Sequence, residues 1–196
     1  LVLVESIGKY RVIGETLDDA IGEAYDKVGR MLDLGYPAGP VLTEMAKKGD
    51  PKKYPLPIPL HNRADTLNLS FSGLKTAVYY LIKKELGELS KQDVYDIASS
   101  FEFSAIRHLK EKIAIAIEMY QPQKILVGGG VGSSRAVRVG IRKISRDFGL
   151  EAHFPYGKKL YMDNGAMIAH AGFYRYLKGE FIKNVKTLDR EPRLSL

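Results

Sequence analysis

The chain contains no cysteine. That excludes disulfides and thiolate metal sites, and it suits a reducing compartment. No stretch reaches the roughly 18 apolar residues of a membrane span. The first residues, LVLVES, have neither a basic n-region nor a cleavage site, so they do not read as a signal peptide. Histidine is sparse. His61, His108, His153 and His170 show neither HExxH nor HxxxH spacing and read as structural or surface residues. There is also no methionine at position 1. The chain opens inside a strand-like segment, which is expected of part of a longer protein.

What is present is enough for one large or two small domains: 196 residues, 45% of them hydrophobic. The formal charge is +7 and the pI about 9.4. That balance favours an anionic partner such as nucleic acid or nucleotide, although many soluble proteins are mildly basic.

Residues 1–13 read as two short strands around a turn at Ile7-Gly8-Lys9. Thr16 and Asp19 resemble a capping box, and Leu17, Ile21, Ala24, Val28 and Leu32 follow at helical spacing. A helix is expected over 17–34, with Gly35 as its stop. Residues 36–63 look like loop because of their prolines. Helices are expected from Ser72, over the segment ended by Pro122, over 135–147 and after Asp163. KILVGGGV reads as a buried strand entering a glycine loop, and EAHFPY as another strand. This order indicates an α/β layer architecture.

Several stretches admit two readings. ILVGGGVGSS is either a nucleotide or anion site at a helix N-terminus or tight turn packing, and it matches neither GxGxxG nor a P-loop. Ser70, Ser72, Lys75 and Thr76 around Gly73 are either a phosphate or ribose seat or ordinary caps. Asp19, Glu23 and Asp26 can share one helix face; either a ligand or water must answer their charge. Asp163 begins the run DNGAMIAHAG. Read alone it is a helix cap, because one carboxylate cannot hold a metal. Arg135, Arg138 and Arg142 line one face of their helix, near Lys143, Arg146, Lys110 and Lys112. That face is either solvated or a seat for phosphate.

ETLDDAIGEAYDKVGR, LGYPAGP, FSGLKTAV, LVGGGV and DNGAMIAHAG occur together and in order. In this the chain resembles the TsaD family of tRNA N6-adenosine threonylcarbamoyltransferases, formerly labelled O-sialoglycoprotein endopeptidases. The resemblance implies an α/β fold of the actin/Hsp70/sugar-kinase type. It implies the C-terminal lobe over residues 1–182, with a helical insertion at about 36–120, a glycine-loop part at about 121–182 and a tail at 183–196. The N-terminal lobe is expected to be absent. The implied reaction moves a threonylcarbamoyl group from its adenylate to N6 of adenosine 37 in tRNAs reading codons that begin with A, and the implied small-molecule partner is that adenylate or ATP.

By the same resemblance Asp26, Gly39, Gly129, Gly130 and Ser134 would hold substrate. Asp163 would ligate one divalent metal, Fe or Zn, shared with histidines absent from this chain. The implied partners are tRNA, the missing lobe, and TsaB- and TsaE-like subunits, with no membrane. The implied compartment is the bacterial cytoplasm, or an organelle matrix in a eukaryote. The fragment alone would be inactive. A different class of function is a non-catalytic scaffold in a tRNA-modification complex. A metallopeptidase fits poorly, because no glutamate sits beside a histidine pair. Three positions depart from the family pattern: Ala38 stands for a glycine and requires a negative φ, Ser134 stands for an asparagine, and Tyr161-Met162 stand for Cys-Thr before the aspartate.

Overall fold

A computed structural model of the chain describes residues 1–187 and 189. Most of the expected tail, at 188 and 190–196, lies outside the described residues. Strands β1 (Val2–Ser6) and β2 (Lys9–Val12) form an antiparallel hairpin, with Gly8 at φ +83 in its turn. The chain then runs through α1 (Ile21–Met31), α2 (Gly39–Ala46), α3 (Ser72–Tyr80), which continues as a π-helical turn over Leu81–Leu86, and α4 (Lys91–Tyr120). Strand β3 (Lys124–Leu126), a 3-10 turn (Gly130–Ser133) and α5 (Arg135–Asp147) follow. After them come β4 (Glu151–His153), a second 3-10 turn (Lys158–Tyr161) and α6 (Gly165–Leu177). Strands β3 and β4 pair in parallel. The architecture is α/β with small sheets.

Two apolar cores explain the packing. The first gathers Ala24, Val28, Leu42, Leu74, Val78, Ile97 and Phe101 from the first four helices, together with Phe71 just before α3. The second gathers Ile113, Ile117, Val137 and Ile141 between α4 and α5, with Ile125 and Ala152 of the parallel strands packed against them. The 30-residue α4 crosses both cores. It starts cleanly because Ser90 and Asp93 form a reciprocal capping box. It ends at Gln121, which takes the left-handed conformation before Pro122.

Four expectations need correction. The first helix starts at Ile21, not 17. Backbone pairing of Thr16 and Leu17 with Leu69 holds residues 16–19 out of the helix, and Thr16 Oγ1 donates to the Asp19 carbonyl. Its stop is Asp33 at φ +54, with Leu34 N–H bonded back to the Gly29 carbonyl, so Gly35 lies two residues beyond it. Residues 36–63 are not all loop, since α2 occupies 39–46. Pro40 sits in its first turn, where the missing N–H costs nothing, and Leu42 and Ala46 are buried. Strand β3 is not buried: Leu126 is 64% exposed, because helices cover only one face of the parallel pair.

The first core also encloses polar groups. His108 is fully buried, accepts the Ser70 N–H at Nε2 and meets Phe71 edge-on. Burial, helped by Lys112, lowers its pKa to about 4. The unfolded chain therefore binds an extra proton between about pH 6.5 and 4. Stability should be full above pH 6.5 and fall by roughly 2–3 kcal/mol on acidification to pH 4. Urea titrations of wild type and His108→Gln across that range check this, and a parallel loss in both proteins would locate the pH sensitivity elsewhere.

Candidate functional site

The seats proposed around Gly73 are filled from within the chain. Asp18 accepts the N–H groups of Phe71 (2.7 Å) and Ser72 (3.1 Å) and the hydroxyls of Ser70 (2.5 Å) and Ser72 (2.7 Å). Partial desolvation opposes ionisation, but these bonds outweigh it and hold the Asp18 pKa at about 2. Lys75 reaches Asp19 at 2.7 Å, and Thr76 bonds the Ser72 carbonyl. An internal carboxylate thus takes the place that an anion would occupy. Asp18→Ala should cost roughly 1–2 kcal/mol, discounted for exposure, at pH 7. Since the folded pKa lies below the unfolded one, this difference should vanish as pH falls through about 4 towards 2. A chemical denaturation series at several pH values is the check, and a neutral substitution would show that the bend before α1 is held by other bonds.

The acidic face of α1 is answered in the same way. Lys27 bridges Asp19 and Glu23, each at 2.6 Å. Asp26 turns elsewhere. Its Oδ1 accepts the N–H groups of Ala38 (2.9 Å) and Gly39 (2.8 Å). The structure thus joins two residues, Asp26 and Gly39, that lie 13 apart in sequence. Oδ2 of Asp26 makes no hydrogen bond among the described residues. The 36–39 turn lies tight on α1, where a Cβ at Gly29 would stand 2.3 Å from that of Ala38. Ala38 has φ −93, so the side chain in place of a glycine is accommodated. At Gly39 a Cβ would meet its neighbours only at 3.6 Å or beyond, so internal packing does not demand glycine there.

The glycine loop meets the other end of the same helix face. A Cβ at Gly22 would stand 3.1 Å from Val131, and Gly22 lies one turn before Asp26. Gly129 has φ +79, and Gly130 opens the 3-10 turn beside the sulfur of Met162. Gly132 packs under the Tyr161 ring. The loop therefore stands among the start of α1, the start of α5 and residues 161–162. Ser134 is the N-cap residue of α5, yet its hydroxyl makes no capping bond. The Ser134 and Tyr161 hydroxyls are both buried without a hydrogen-bond partner among the described residues. Tyr161 is a feature that sequence reasoning treated only as a departure. Its burial depends on the fold of the glycine loop above it, which no local pattern announces.

Asp163 is not the cap of α6. Asn164 is, accepting the Met167 N–H at 3.1 Å and donating to the Met162 carbonyl. Asp163 is exposed and makes no hydrogen bond or ion pair among the described residues. Nor is α6 buried: it buries no residue, with Ile168 75% and Tyr176 65% exposed. No group of three potential metal ligands exists among the described residues. Asp163 fits a metal as one uncommitted hard oxygen donor and cannot close a site alone.

The histidines stay outside this constellation. His61 pairs with Glu111, His153 with Glu151, and His170 contacts Tyr174.

A carboxylate-tethered turn and a glycine loop thus lie along one helix face within an α/β scaffold. The family model TsaD, tRNA N6-adenosine threonylcarbamoyltransferase, matches residues 1–170. The chain belongs to this family. Its curated relatives carry the same name. A protein of Rickettsia bellii (strain OSU 85-389) is 42% identical over 92% of the chain and 54% of its own length. One of Anaplasma marginale (strain St. Maries) is 42% identical over 92% and 53%. One of Bordetella pertussis (strain Tohama I) is 41% identical over 91% and 52%. The chain spans about half the length of the curated relatives it matches. No helix among the described residues is long and apolar enough to cross a membrane.

Proposed function

We propose that the chain is the substrate-holding, C-terminal lobe of a tRNA N6-adenosine threonylcarbamoyltransferase with the actin-like fold. In this reading residues 36–120 are its helical insertion, 121–182 its glycine-loop part and 183–196 its tail. The observation that carries the reading is the tie between Asp26 and the N–H groups of Ala38 and Gly39, beside the glycine loop. It fixes a rigid turn and leaves Oδ2 of Asp26 to accept a ligand hydroxyl.

In the reaction, N6 of adenosine 37 attacks the carbamoyl carbon of threonylcarbamoyl-adenylate. The carbon–oxygen bond to the phosphate breaks, AMP leaves and N6 loses a proton. No residue of this chain need form a covalent intermediate. Gly129 and Gly130 let the adenylate approach the backbone, and the free Ser134 hydroxyl can donate one hydrogen bond to it. A divalent Fe or Zn ion, held by Asp163 and by histidines of the remaining half, would polarise the acyl carbonyl.

The open face of β3 and the apolar surface of α6 support a second lobe, since exposed apolar areas of this kind ordinarily mark a contact surface. TsaB- and TsaE-like subunits are further proposed partners, and the bacterial cytoplasm is the proposed compartment. The test is to join the chain to the part of a curated relative that it does not cover, then assay tRNA nucleosides for threonylcarbamoyladenosine. Transfer that requires both halves supports the reading. A joined, folded protein that binds its partners but transfers nothing would favour the scaffold role.

A further inference from the structure

The basic surface is not arranged as the sequence suggests. Lys112 is 1% exposed and donates to the carbonyls of Arg63 and Thr66, so it meets no external partner. The guanidinium groups of Arg138 and Arg142 lie over the Phe154 ring, at 5.4 and 4.9 Å from its centre. They belong to the packing of α5 on the strand that follows it. Arg135 does not share that fate.

Arg135 lies instead in a groove of about 710 Å³ between α2 and α5, floored by α4. Two close approaches set its walls. A Cβ at Gly140 would stand 2.7 Å from Ile106, which brings α5 down onto α4. On the other side Gly49, just after α2, touches the α4 backbone at Tyr95. Ser99, Glu102, Ile106 and Lys110 of the floor recur at steps of three and four, one stripe of the helix. Lys47, Arg107, Lys110 and Arg135 place four cations along it. Lys47 and Arg107 have acidic neighbours on their own helices, Glu44 and Glu111. Lys110 and Arg135 make no ion pair among the described residues. Phe103 is 43% and Val139 54% exposed, giving an apolar floor and wall. The one carboxylate in the floor among the described residues, Glu102, accepts at Oε1 from the hydroxyls of Thr43 (3.0 Å) and Tyr25 (3.4 Å).

The position of the groove is as telling as its charge. Thr43 lies one turn after Gly39 on α2, Lys47 is the residue that ends that helix, and Arg135 directly follows Ser134. Both walls therefore begin at candidate substrate positions. We infer that this groove seats a single RNA strand, its phosphates against Lys110 and Arg135 and a base against Phe103, and leads it to the candidate site. Cations that follow a backbone beside an exposed ring are the general means of holding unpaired nucleic acid. The inference rests on the proposed function and names where the tRNA lies.

The test uses the joined protein and an unmodified tRNA transcript that reads a codon beginning with A, with fluorescence anisotropy from low to moderate salt. Lys110→Ala with Arg135→Ala should flatten the log–log salt slope by about one to two units. Phe103→Ala should weaken binding by several-fold without changing the slope. Arg138→Ala with Arg142→Ala should leave the slope unchanged and lower the melting temperature. An unchanged slope in the groove variant, with wild-type binding intact, overturns the inference but not the proposed function. A groove variant that loses an acidic peptide and keeps tRNA also overturns it. A wild-type protein that neither binds tRNA nor modifies it overturns both.

Discussion

Gly49→Ala is expected to lower the unfolding free energy by about 3 kcal/mol or more. A Cβ at Gly49 would stand 2.0 Å from the Tyr95 carbonyl oxygen, 2.3 Å from its carbon and 2.7 Å from the Asp96 nitrogen. These are backbone atoms of α4 and cannot rotate away. Something must shift, and the bonds beside the contact would go with it. Asp50 N–H donates to Asp96 at 2.8 Å, and Tyr54 donates from its N–H to Ser100 and from its hydroxyl to Asp93. Overpacking alone costs about 1–3 kcal/mol, and strained or unsatisfied polar groups add to that. Gly73→Ala is the control. Apart from its chain neighbours and its own helix backbone, no atom lies within 4 Å of its added Cβ, and it is the second residue of α3, so alanine there should be neutral or stabilise by up to about 0.5–1 kcal/mol. Urea denaturation of both variants measures the contrast. A loss below about 1 kcal/mol at Gly49 would mean that α2 is free to move off α4, and the groove above them would lose its fixed wall.

The second large effect is functional. In the joined protein, Asp163→Ala should remove the bound metal and take threonylcarbamoyl transfer below detection. The fold should hardly notice: Asp163 is exposed and bonds to nothing among the described residues, so stability should change by less than about 0.5 kcal/mol. Asn164→Ala should behave in the opposite way. It removes the cap of α6 and should cost about 1 kcal/mol while metal content is kept. Metal analysis, a transfer assay and thermal unfolding on the two neighbouring variants separate the roles. Full metal content in the Asp163 variant would place the ion on other ligands.

The order of elements and the chemistry of single positions were legible in the sequence. Apolar spacing marked α1, though not its bounds, and Pro122 marked the end of α4. The run of glycines marked the loop, and the DNGAMIAHAG run marked Asp163. These signals are local, because capping, left-handed φ and helical periodicity depend on residues within one or two turns. Helix α2 was hidden behind prolines, although Pro40 stands where a helix tolerates it.

Partnership was what only the tertiary structure decided. Nothing within ten residues of Asp18 shows that it will take the Ser70 and Ser72 hydroxyls and so fill the seat beside those serines. The sequence presents Lys112, Arg138, Arg142 and Arg135 as one kind of residue. Folding buries the first against two carbonyls, lays the next two on Phe154 and leaves the last in a groove. A side chain's charge is set by its covalent structure, but what answers that charge is set by which distant backbone or ring comes within a few ångströms of it. That follows from the packing of α2 and α5 on α4, which no single segment contains.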